Sequence, residues 1–175
     1  MERKVLLLGA GSSRDLRAMT PLGNVTPQIV TLDIEPRHGC DVVHDLNILP
    51  WPFRDEEFEE VHAYEVLEHL GQQGDAKSFF AHFGEIYRIL KPGGILAGSV
   101  PCWDSIWAWG DPSHRRVINV GSFTFLDQTQ YATQVGKTAM TDFRSIWHGD
   151  FEVQTTQKVG DQLYFLLKAY KPARA

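Results

Sequence analysis

The 175-residue sequence is poor in cysteine and has no long apolar run. Cys40 and Cys102 are its only thiols, which is too few for a disulfide scaffold and favours a reducing compartment. The apolar run at residues 5–8 is too short for a signal-peptide core, and no segment reaches the roughly 18 uncharged apolar residues of a membrane span. We therefore expect a cytoplasmic protein with no membrane segment.

Positive charge is also scarce. The chain carries 17 Lys and Arg against 22 Asp and Glu, a formal net charge of -5. Sequence-independent binding to nucleic acid needs a positive field, so this balance argues against a nucleic-acid partner. The histidines and cysteines show no metal-ligand spacing, and neither a His-Glu-x-x-His nor a Gly-x-Ser-x-Gly motif occurs. We expect no catalytic metal and no nucleophilic serine.

Short apolar and β-branched runs, bounded by glycine, proline and acidic residues, predict buried strands. The strong runs cover residues 4–8, 28–33, 60–64 and 95–100, and residues 41–44 are a weaker candidate. Apolar residues at helical spacing from Phe79 to Leu90 predict a helix that Asp75 caps and residues 91–94 end. Strands separated by helices predict a mostly parallel sheet with ligands beyond its carboxyl ends.

The C-terminal part breaks this alternation. Residues 151–172 contain two β-rich runs joined by a Lys-Val-Gly-Asp turn, which predicts a hairpin and an antiparallel end of the sheet. The length is that of one globular domain. We therefore expect a single α/β domain over residues 1–175, with a lid or acceptor segment at residues 102–125.

A Gly-x-Gly pair follows the first predicted strand in "VLLLGAGSSRD", residues 5–15. Gly9 and Gly11 allow a sharp turn and close approach to a ligand, and Ser12 and Ser13 suit the cap of a helix that starts near Arg14. The loop faces a phosphate, a carboxylate or a ribose, or it is a purely structural turn. Arg14 stands where a dinucleotide fingerprint has its last glycine, which disfavours a pyrophosphate.

Two acidic residues end later strands. Asp33 lies roughly 20 residues after the loop, where dinucleotide folds place a carboxylate that binds ribose hydroxyls. An acid at the end of a buried strand is costly without a partner, which favours ribose recognition over a solvated turn. Asp45 suits an exocyclic amine, with Leu46 packed on a flat ring; an ordinary turn aspartate is the alternative.

Four segments in this order, "VLLLGAGSSRD", "VTLDIEP", "HDLNILPWPFRDEEFEEVHAYEVLEHL" and "IYRILKPGGILAGSVP", resemble the successive motifs of class I S-adenosylmethionine-dependent methyltransferases. The likeness is densest from Asp45 to Pro101. It implies a Rossmann-like three-layer sandwich, a seven-stranded sheet whose last strand is antiparallel, and S-adenosylmethionine as cofactor. The implied reaction is methyl transfer to a small-molecule or glycan-type acceptor. A non-catalytic S-adenosylmethionine-binding or partner-binding scaffold is one alternative, and a nicotinamide-dependent oxidoreductase is another.

The resemblance also implies a set of cofactor-binding residues. The glycine loop would lie beside the methionine part, Asp33 on the ribose, and the remaining residues around the adenine or near the sulfonium. The full set is Gly9, Ala10, Gly11, Ser12, Asp33, Ile34, Asp45, Leu46, Tyr64 and Glu65.

The segment that follows Glu65 contains Val66, Leu67 and His69, and in the family it is largely architectural. The alternative for His69 is contact with a ligand. The chain departs from the family pattern at Leu7, where many members have an acid, and at Ser13, where many have glycine. Glu65 is a candidate for supplying the missing charge.

The segment after the fifth predicted strand contains Trp103, Trp107 and Trp109. Aromatic faces stack on sugars and heterocycles, and they also anchor lids. Both roles fit, and the three residues need not share one. We expect this segment to cover the acceptor.

His114 and Asp111 are the candidate catalytic residues. Imidazole exchanges protons near neutral pH, so His114 suits the removal of a proton from the acceptor, with Asp111 orienting it. The alternative is an Asp-Pro-Ser turn in which His114 pairs with a backbone carbonyl. Arg115 and Arg116 either bind an anionic group or are solvated. The sequence identifies neither the acceptor nor the oligomeric state.

Overall fold

The computed structural model describes residues 3–17 and 26–174. Its strands are β1 Lys4–Leu8, β2 Gln28–Asp33, β3 Val42–Val43, β4 Phe58–Tyr64, β5 Leu90–Pro101, β6 Phe151–Val159 and β7 Gln162–Ala169. Its α-helices are α1 Ala76–Ile89, α2 Ile106–Gly110, α3 Val120–Thr124 and α4 Gln128–Gln134. Single 3-10 turns lie at Pro36–His38 and Leu67–His69. No helix in the described ranges is long and apolar enough to cross a membrane.

The strands form one sheet in the order β3-β2-β1-β4-β5-β7-β6. The strands β1 to β5 pair in parallel, whereas β7 runs antiparallel to both β5 and β6. This is the Rossmann-like sheet with an antiparallel C-terminal hairpin that the sequence predicts. Because carboxyl ends of parallel strands meet at one edge, the residues after Leu8, Asp33 and Tyr64 come together there.

The helix α1 has the predicted start. The carboxylate of Asp75 accepts a hydrogen bond from the Ser78 amide at 3.0 Å, and Phe80, Phe83 and Ile86 are buried in the core. The helix ends at Ile89, just before the predicted stop at residues 91–94, and these four residues belong to β5. They fall between the pairs Phe58–Leu90 and Glu60–Ile95, where the register of β4 against β5 shifts.

The predicted helix near Arg14 is absent from residues 14–17. The Ser13 hydroxyl accepts from the Asp15 amide at 3.0 Å, a local turn rather than a helix cap. The Arg14 guanidinium binds both oxygens of Asp41 at 3.0 and 3.1 Å, which holds the segment against the next loop of the sheet edge. Residues 18–25 lie outside the described residues.

Candidate functional site

A cavity of about 360 Å³ lies beyond the carboxyl ends of β1, β2 and β4, and we call it the strand-end cavity. Its walls come from the loops that follow these strands and from the segment after β3. The lining residues are Gly9, Leu32, Asp33, Ile34, His44, Asp45, Leu46, Asn47, Glu65, Val66, His69 and Leu70. The site therefore occupies the sheet edge that the parallel topology predicts.

The glycine loop closes one side of this cavity. Gly9 has a φ of 56°, and a Cβ atom there would lie 2.4 Å from Cγ2 of Val66. Only glycine allows this approach of the loop to the segment after β4. The amide of Gly11 donates to Oδ2 of Asp33 at 2.9 Å. The loop is thus fixed against the end of β2 by the acid that the sequence analysis assigns to ribose.

Asp33 is 8% exposed, and its carboxylate is tightly held. Besides Gly11, its partners are the Glu35 amide at 2.9 Å and Nδ1 of His38 at 3.2 Å. Burial acts to raise the pKa of Asp33, but the hydrogen bonds from Glu35, Gly11 and His38 outweigh burial and lower it. Asp33 therefore presents an ionised, oriented carboxylate to the cavity.

Apolar and polar surface face each other across the same cavity. Ile34 is 62% exposed and Leu46 is 7% exposed, and both line the cavity. Asp45 also lines it, while its Oδ1 accepts from the Asn47 amide at 2.9 Å. Asp45 is therefore both a turn aspartate and a wall of the cavity, which joins the two interpretations left open by the sequence.

Four predicted cofactor residues, Ala10, Gly11, Ser12 and Tyr64, do not line the described walls of the strand-end cavity. Ala10 and Tyr64 are buried together with Leu7, and Ser12 is exposed. Side chains alternate along a strand, so Tyr64 falls on the same face of β4 as His62, and its hydroxyl lies 2.7 Å from Nδ1 of that residue. Tyr64 therefore packs beside the strand-end cavity rather than along its described walls, and its place near the sulfonium stays a prediction.

A second cavity of about 520 Å³ adjoins the first, and we call it the acidic cavity. Its lining residues are Glu65, Glu68, His69, Pro101, Trp107, Asp111, His114, Val159, Asp161 and Gln162. Glu65 and His69 line both cavities. Four carboxylates and no lysine or arginine occur among these described lining residues, so the cavity favours positive charge.

Glu65 stands at the junction of the two cavities in a strained backbone conformation. Its φ is 57°, which is uncommon outside glycine and costs about 1–3 kcal/mol. Its Oε1 accepts from the Ser99 hydroxyl at 2.8 Å, and its amide donates to the Ser99 carbonyl. Leu7, where many family members have an acid, is 3% exposed in the core.

His114 and Asp111 both line the acidic cavity, as a catalytic pair requires. Nε2 of His114 lies 3.8 Å from Oδ2 of Asp111, while Oδ1 of Asp111 accepts from the Ser113 amide at 2.8 Å. The Asp-Pro-Ser turn is therefore present. The carbonyl partner expected for His114 in that alternative is not found, because its Nδ1 is buried without a hydrogen-bond partner among the described residues.

Glu68 is a functional candidate that the sequence analysis missed. It is 2% exposed, and neither carboxylate oxygen has a hydrogen-bond partner among the described residues. Burial, together with the nearby charges of Glu65 and Asp111, raises its pKa to about 8. No motif signals this burial, because it arises from tertiary contact: the amides of Arg115 and Arg116 cover the Glu68 backbone carbonyl.

His69 lines both cavities, which makes it accessible to a ligand as the alternative interpretation of its segment requires. Its ring lies edge-on to that of His114, with centroids 4.8 Å apart. One ligand atom each from Glu68, His69 and His114 falls within 4.8 Å of the others. Glu68 and His69 are adjacent, but His114 lies on a segment far away in sequence, which is why linear spacing gives no sign of the cluster.

The tryptophans and arginines of the acceptor segment lie in different environments. Trp107 lines the acidic cavity and is 57% exposed, whereas Nε1 of Trp109 donates to the Trp103 carbonyl at 2.7 Å. Arg116 is 9% exposed and donates to backbone carbonyls of the segment before α1, so it is a buried structural contact rather than a solvated side chain. Arg115 is exposed.

The chain is similar to a known protein family and to solved structures. The family profile described as a methyltransferase domain matches residues 6–98, more than half of the chain. A chain from the Haloferax volcanii complex that contains the Trm112 methyltransferase activator is 18% identical, with a TM-score of 0.60 over 97% of this chain and 84% of that one. Comparison with curated protein sequences gives no match.

Two further structures share the fold. A SAM-dependent methyltransferase from Archaeoglobus fulgidus is 14% identical, with a TM-score of 0.56 over 95% of this chain and 86% of that one. The phosphoethanolamine N-methyltransferase 1 of Haemonchus contortus, solved with phosphoethanolamine and S-adenosylhomocysteine, is 15% identical, with a TM-score of 0.56 over 98% of this chain and 40% of that one.

Proposed function

The chain belongs to the class I S-adenosylmethionine-dependent methyltransferases, and from this premise we propose that it methylates a small polar molecule or glycan-type acceptor held in the acidic cavity. The observation that carries the proposal is the junction of two cavities at Glu65 and His69. A methyl donor in the strand-end cavity can reach an acceptor in the acidic cavity at this junction.

The strand-end cavity supports a specific arrangement of the cofactor. Asp33 binds the ribose hydroxyls, because its carboxylate is ionised and oriented. Ile34, Asp45 and Leu46 surround the adenine. The loop from Gly9 onward contacts the methionine part. With leucine at position 7, Glu65 is the carboxylate available to the cofactor ammonium.

The reaction is an in-line displacement. A lone pair on an acceptor oxygen or nitrogen attacks the methyl carbon, the carbon–sulfur bond breaks, and S-adenosylhomocysteine leaves. Alignment and desolvation supply much of the acceleration. His114 accepts the acceptor's proton, and Asp111 stabilises the resulting imidazolium. The negative lining of the acidic cavity also favours the binding of an amine.

One observation favours a second function, the partner-binding scaffold. Three apolar side chains near the acidic cavity are largely exposed: Trp103 at 61%, Ile106 at 74% and Trp109 at 69%. Neighbouring exposed apolar side chains are a feature of protein interaction surfaces. Such a surface is compatible with catalysis, so the decisive difference between the two functions is product formation.

A screen of amines, alcohols and sugars with detection of S-adenosylhomocysteine tests the proposal. The wild-type protein is expected to release S-adenosylhomocysteine with at least one acceptor, whereas His114→Ala binds S-adenosylmethionine but turns over slowly. His148→Ala, an exposed histidine outside both cavities, is the matched control. Tight binding of S-adenosylmethionine without product on any acceptor would favour the scaffold.

A further inference from the structure

We propose that Glu68, His69 and His114 form a site for one divalent transition-metal ion with an open coordination position toward the acidic cavity. All three residues line that cavity, and one ligand atom from each lies within 4.8 Å of the others. Nε2 of His114 is 3.9 Å from Oε1 of Glu68. The role of the ion in catalysis, as distinct from its binding, rests on the proposed methyl transfer.

Glu68 gives the independent evidence for a ligand. A carboxylate that is 2% exposed and has no hydrogen-bond partner for either oxygen is costly, whether it is ionised or protonated. Glu65 and Asp111 lie nearby, and no lysine or arginine is among the described lining residues that could compensate these charges. A bound cation gives the Glu68 oxygens a partner and compensates the negative charge of the cavity.

His69 is already oriented as a metal ligand. Its Nδ1 lies 3.2 Å from the Ser113 carbonyl, and a carbonyl only accepts, so Nδ1 carries the proton. The lone pair of the neutral ring is therefore on Nε2. Metal-binding histidines typically donate their other ring nitrogen to a carbonyl or carboxylate, which fixes the tautomer. Ser113 is itself held by Asp111.

The donor set indicates the kind of cation. Two imidazole nitrogens and one carboxylate oxygen suit Zn²⁺ and related transition metals, whereas Mg²⁺ prefers oxygen ligands. Three protein ligands with an open fourth position are typical of catalytic zinc sites. Ligation at about 2.0–2.2 Å requires the three side chains to move closer together than in the metal-free arrangement. The adjoining cavity provides room for this movement.

The open position would bind an acceptor hydroxyl. A metal-bound hydroxyl loses its proton more readily. The proton passes to the Asp111 carboxylate, whose side chain is 41% exposed and returns it to solvent. The oxygen lone pair then forms the bond to the methyl carbon as the carbon–sulfur bond breaks. With the ion bound, His114 is a ligand and Asp111 takes the proton that His114 accepts without the ion; the acceptor class narrows to molecules with a hydroxyl near the methylated position.

Titration of untagged, metal-free protein with Co²⁺ tests the site without any acceptor. We expect one Co²⁺ per chain, visible absorption bands of a nitrogen- and oxygen-ligated ion, displacement by Zn²⁺ and no displacement by equimolar Mg²⁺. Glu68→Gln and His69→Ala are expected to lower the affinity by about 100-fold or more, since even changes behind a ligand cost about 10–100-fold. His148→Ala should bind Co²⁺ like the wild type.

Absence of saturable 1:1 binding, or equal affinity in the wild type and both ligand variants, overturns the site. Thermal unfolding of each variant excludes loss of fold as the cause of lost binding. A titration with S-adenosylmethionine on the same samples separates the two proposals: cofactor binding without Co²⁺ binding removes the ion alone, and Co²⁺ binding without cofactor binding removes the methyl transfer.

Discussion

Two glutamates with nearly equal burial stand on either side of the end of β4. Glu60 is 0% exposed, and its carboxylate is paired with Arg3 and with Nε2 of His62, the latter at 2.8 Å. Glu68 is 2% exposed and has no partner for either oxygen among the described residues. Both acids are removed from water, but only one of them has its charge compensated by the fold.

This difference distinguishes the structural residues within β4 from the candidate site that follows the strand. Along one face of β4, Glu60, His62 and Tyr64 form a continuous hydrogen-bonded chain that needs no ligand. Beyond the end of the strand, Glu65 is strained and Glu68 and His114 keep unsatisfied polar atoms. Folded proteins retain such costs mainly where a ligand removes them. Removing an acid before the end of β4 should therefore cost stability, whereas removing one after it should alter binding or turnover without such a cost.

The largest expected effect on the site side belongs to His114→Ala. With an acceptor from the screen, we expect turnover to fall by about 10²–10⁴-fold, the range for loss of a residue that transfers a proton. Cofactor affinity by calorimetry should stay at the wild-type value. Wild-type turnover in a folded variant would leave His114 as a residue of the Asp-Pro-Ser turn.

Among the structural residues within β4, Glu60→Ala should have the largest effect on stability. Removing one partner of a buried ion pair leaves the other unpaired, so the free energy of unfolding should fall by about 3–5 kcal/mol. Denaturant titration measures this loss. Asp55→Ala, which removes an acid that is 78% exposed, is the matched control and should change it by about 1 kcal/mol or less. Equal losses of stability in Glu60→Ala and Asp55→Ala would contradict the structural role of Glu60.

In metal-free protein, Glu68→Gln should raise the free energy of unfolding, whereas Glu60→Ala lowers it. Burial raises the folded-state pKa of Glu68 from 4.5 to about 8, so the folded state keeps a proton that the unfolded state loses between these values. The stability of the wild type therefore falls as pH rises through this window, and glutamine avoids this loss. We expect the variant to be more stable by about 1–3 kcal/mol at pH 9 and nearly equal at pH 5.

Denaturant titrations at the two pH values measure the difference, and a gain independent of pH would mean a packing effect instead. Saturating Zn²⁺ should reverse the order, because only the wild type gains stability from the bound ion. A variant that is less stable than the wild type at both pH values would contradict the contrast between Glu60 and Glu68.

A smaller effect is expected at the strand-end cavity. Asp33→Asn should weaken S-adenosylmethionine binding by about 1–3 kcal/mol, because charged hydrogen bonds to the ribose are lost. Glu35→Gln changes an acid two residues away that is not among the described lining residues, and it should leave the affinity unchanged. Unchanged calorimetric affinity in folded Asp33→Asn would remove Asp33 from the cofactor site.

The sequence predicts the scaffold well, because local patterns determine it. The bounds of β1 and β2, the Asp75 cap of α1 and the C-terminal hairpin agree with the structure. Asp33 lines the strand-end cavity, since an acid at the end of a buried strand has a defined position at the sheet edge, and its binding to ribose stays a prediction. These features follow from periodicity and topology alone.

The acidic cavity is predicted only in part: His114 and Asp111 are named from the sequence, but Glu68 is not. Glu68 and His69 follow β4 directly, whereas His114 comes from the segment after β5, and only folding brings the three together. Tyr64 was expected at the cofactor, but the alternation of β4 turns it toward Leu7. Distant contacts and the face of a single side chain are not encoded in short motifs, so the structure was needed for both.

The most direct test of the account is calorimetric titration of the purified protein with S-adenosylmethionine, S-adenosylhomocysteine and NAD. The two-cavity arrangement predicts saturable binding of the first two at one site per chain and no binding of NAD. A well-folded protein that binds neither S-adenosylmethionine nor S-adenosylhomocysteine, or that prefers NAD, would contradict it.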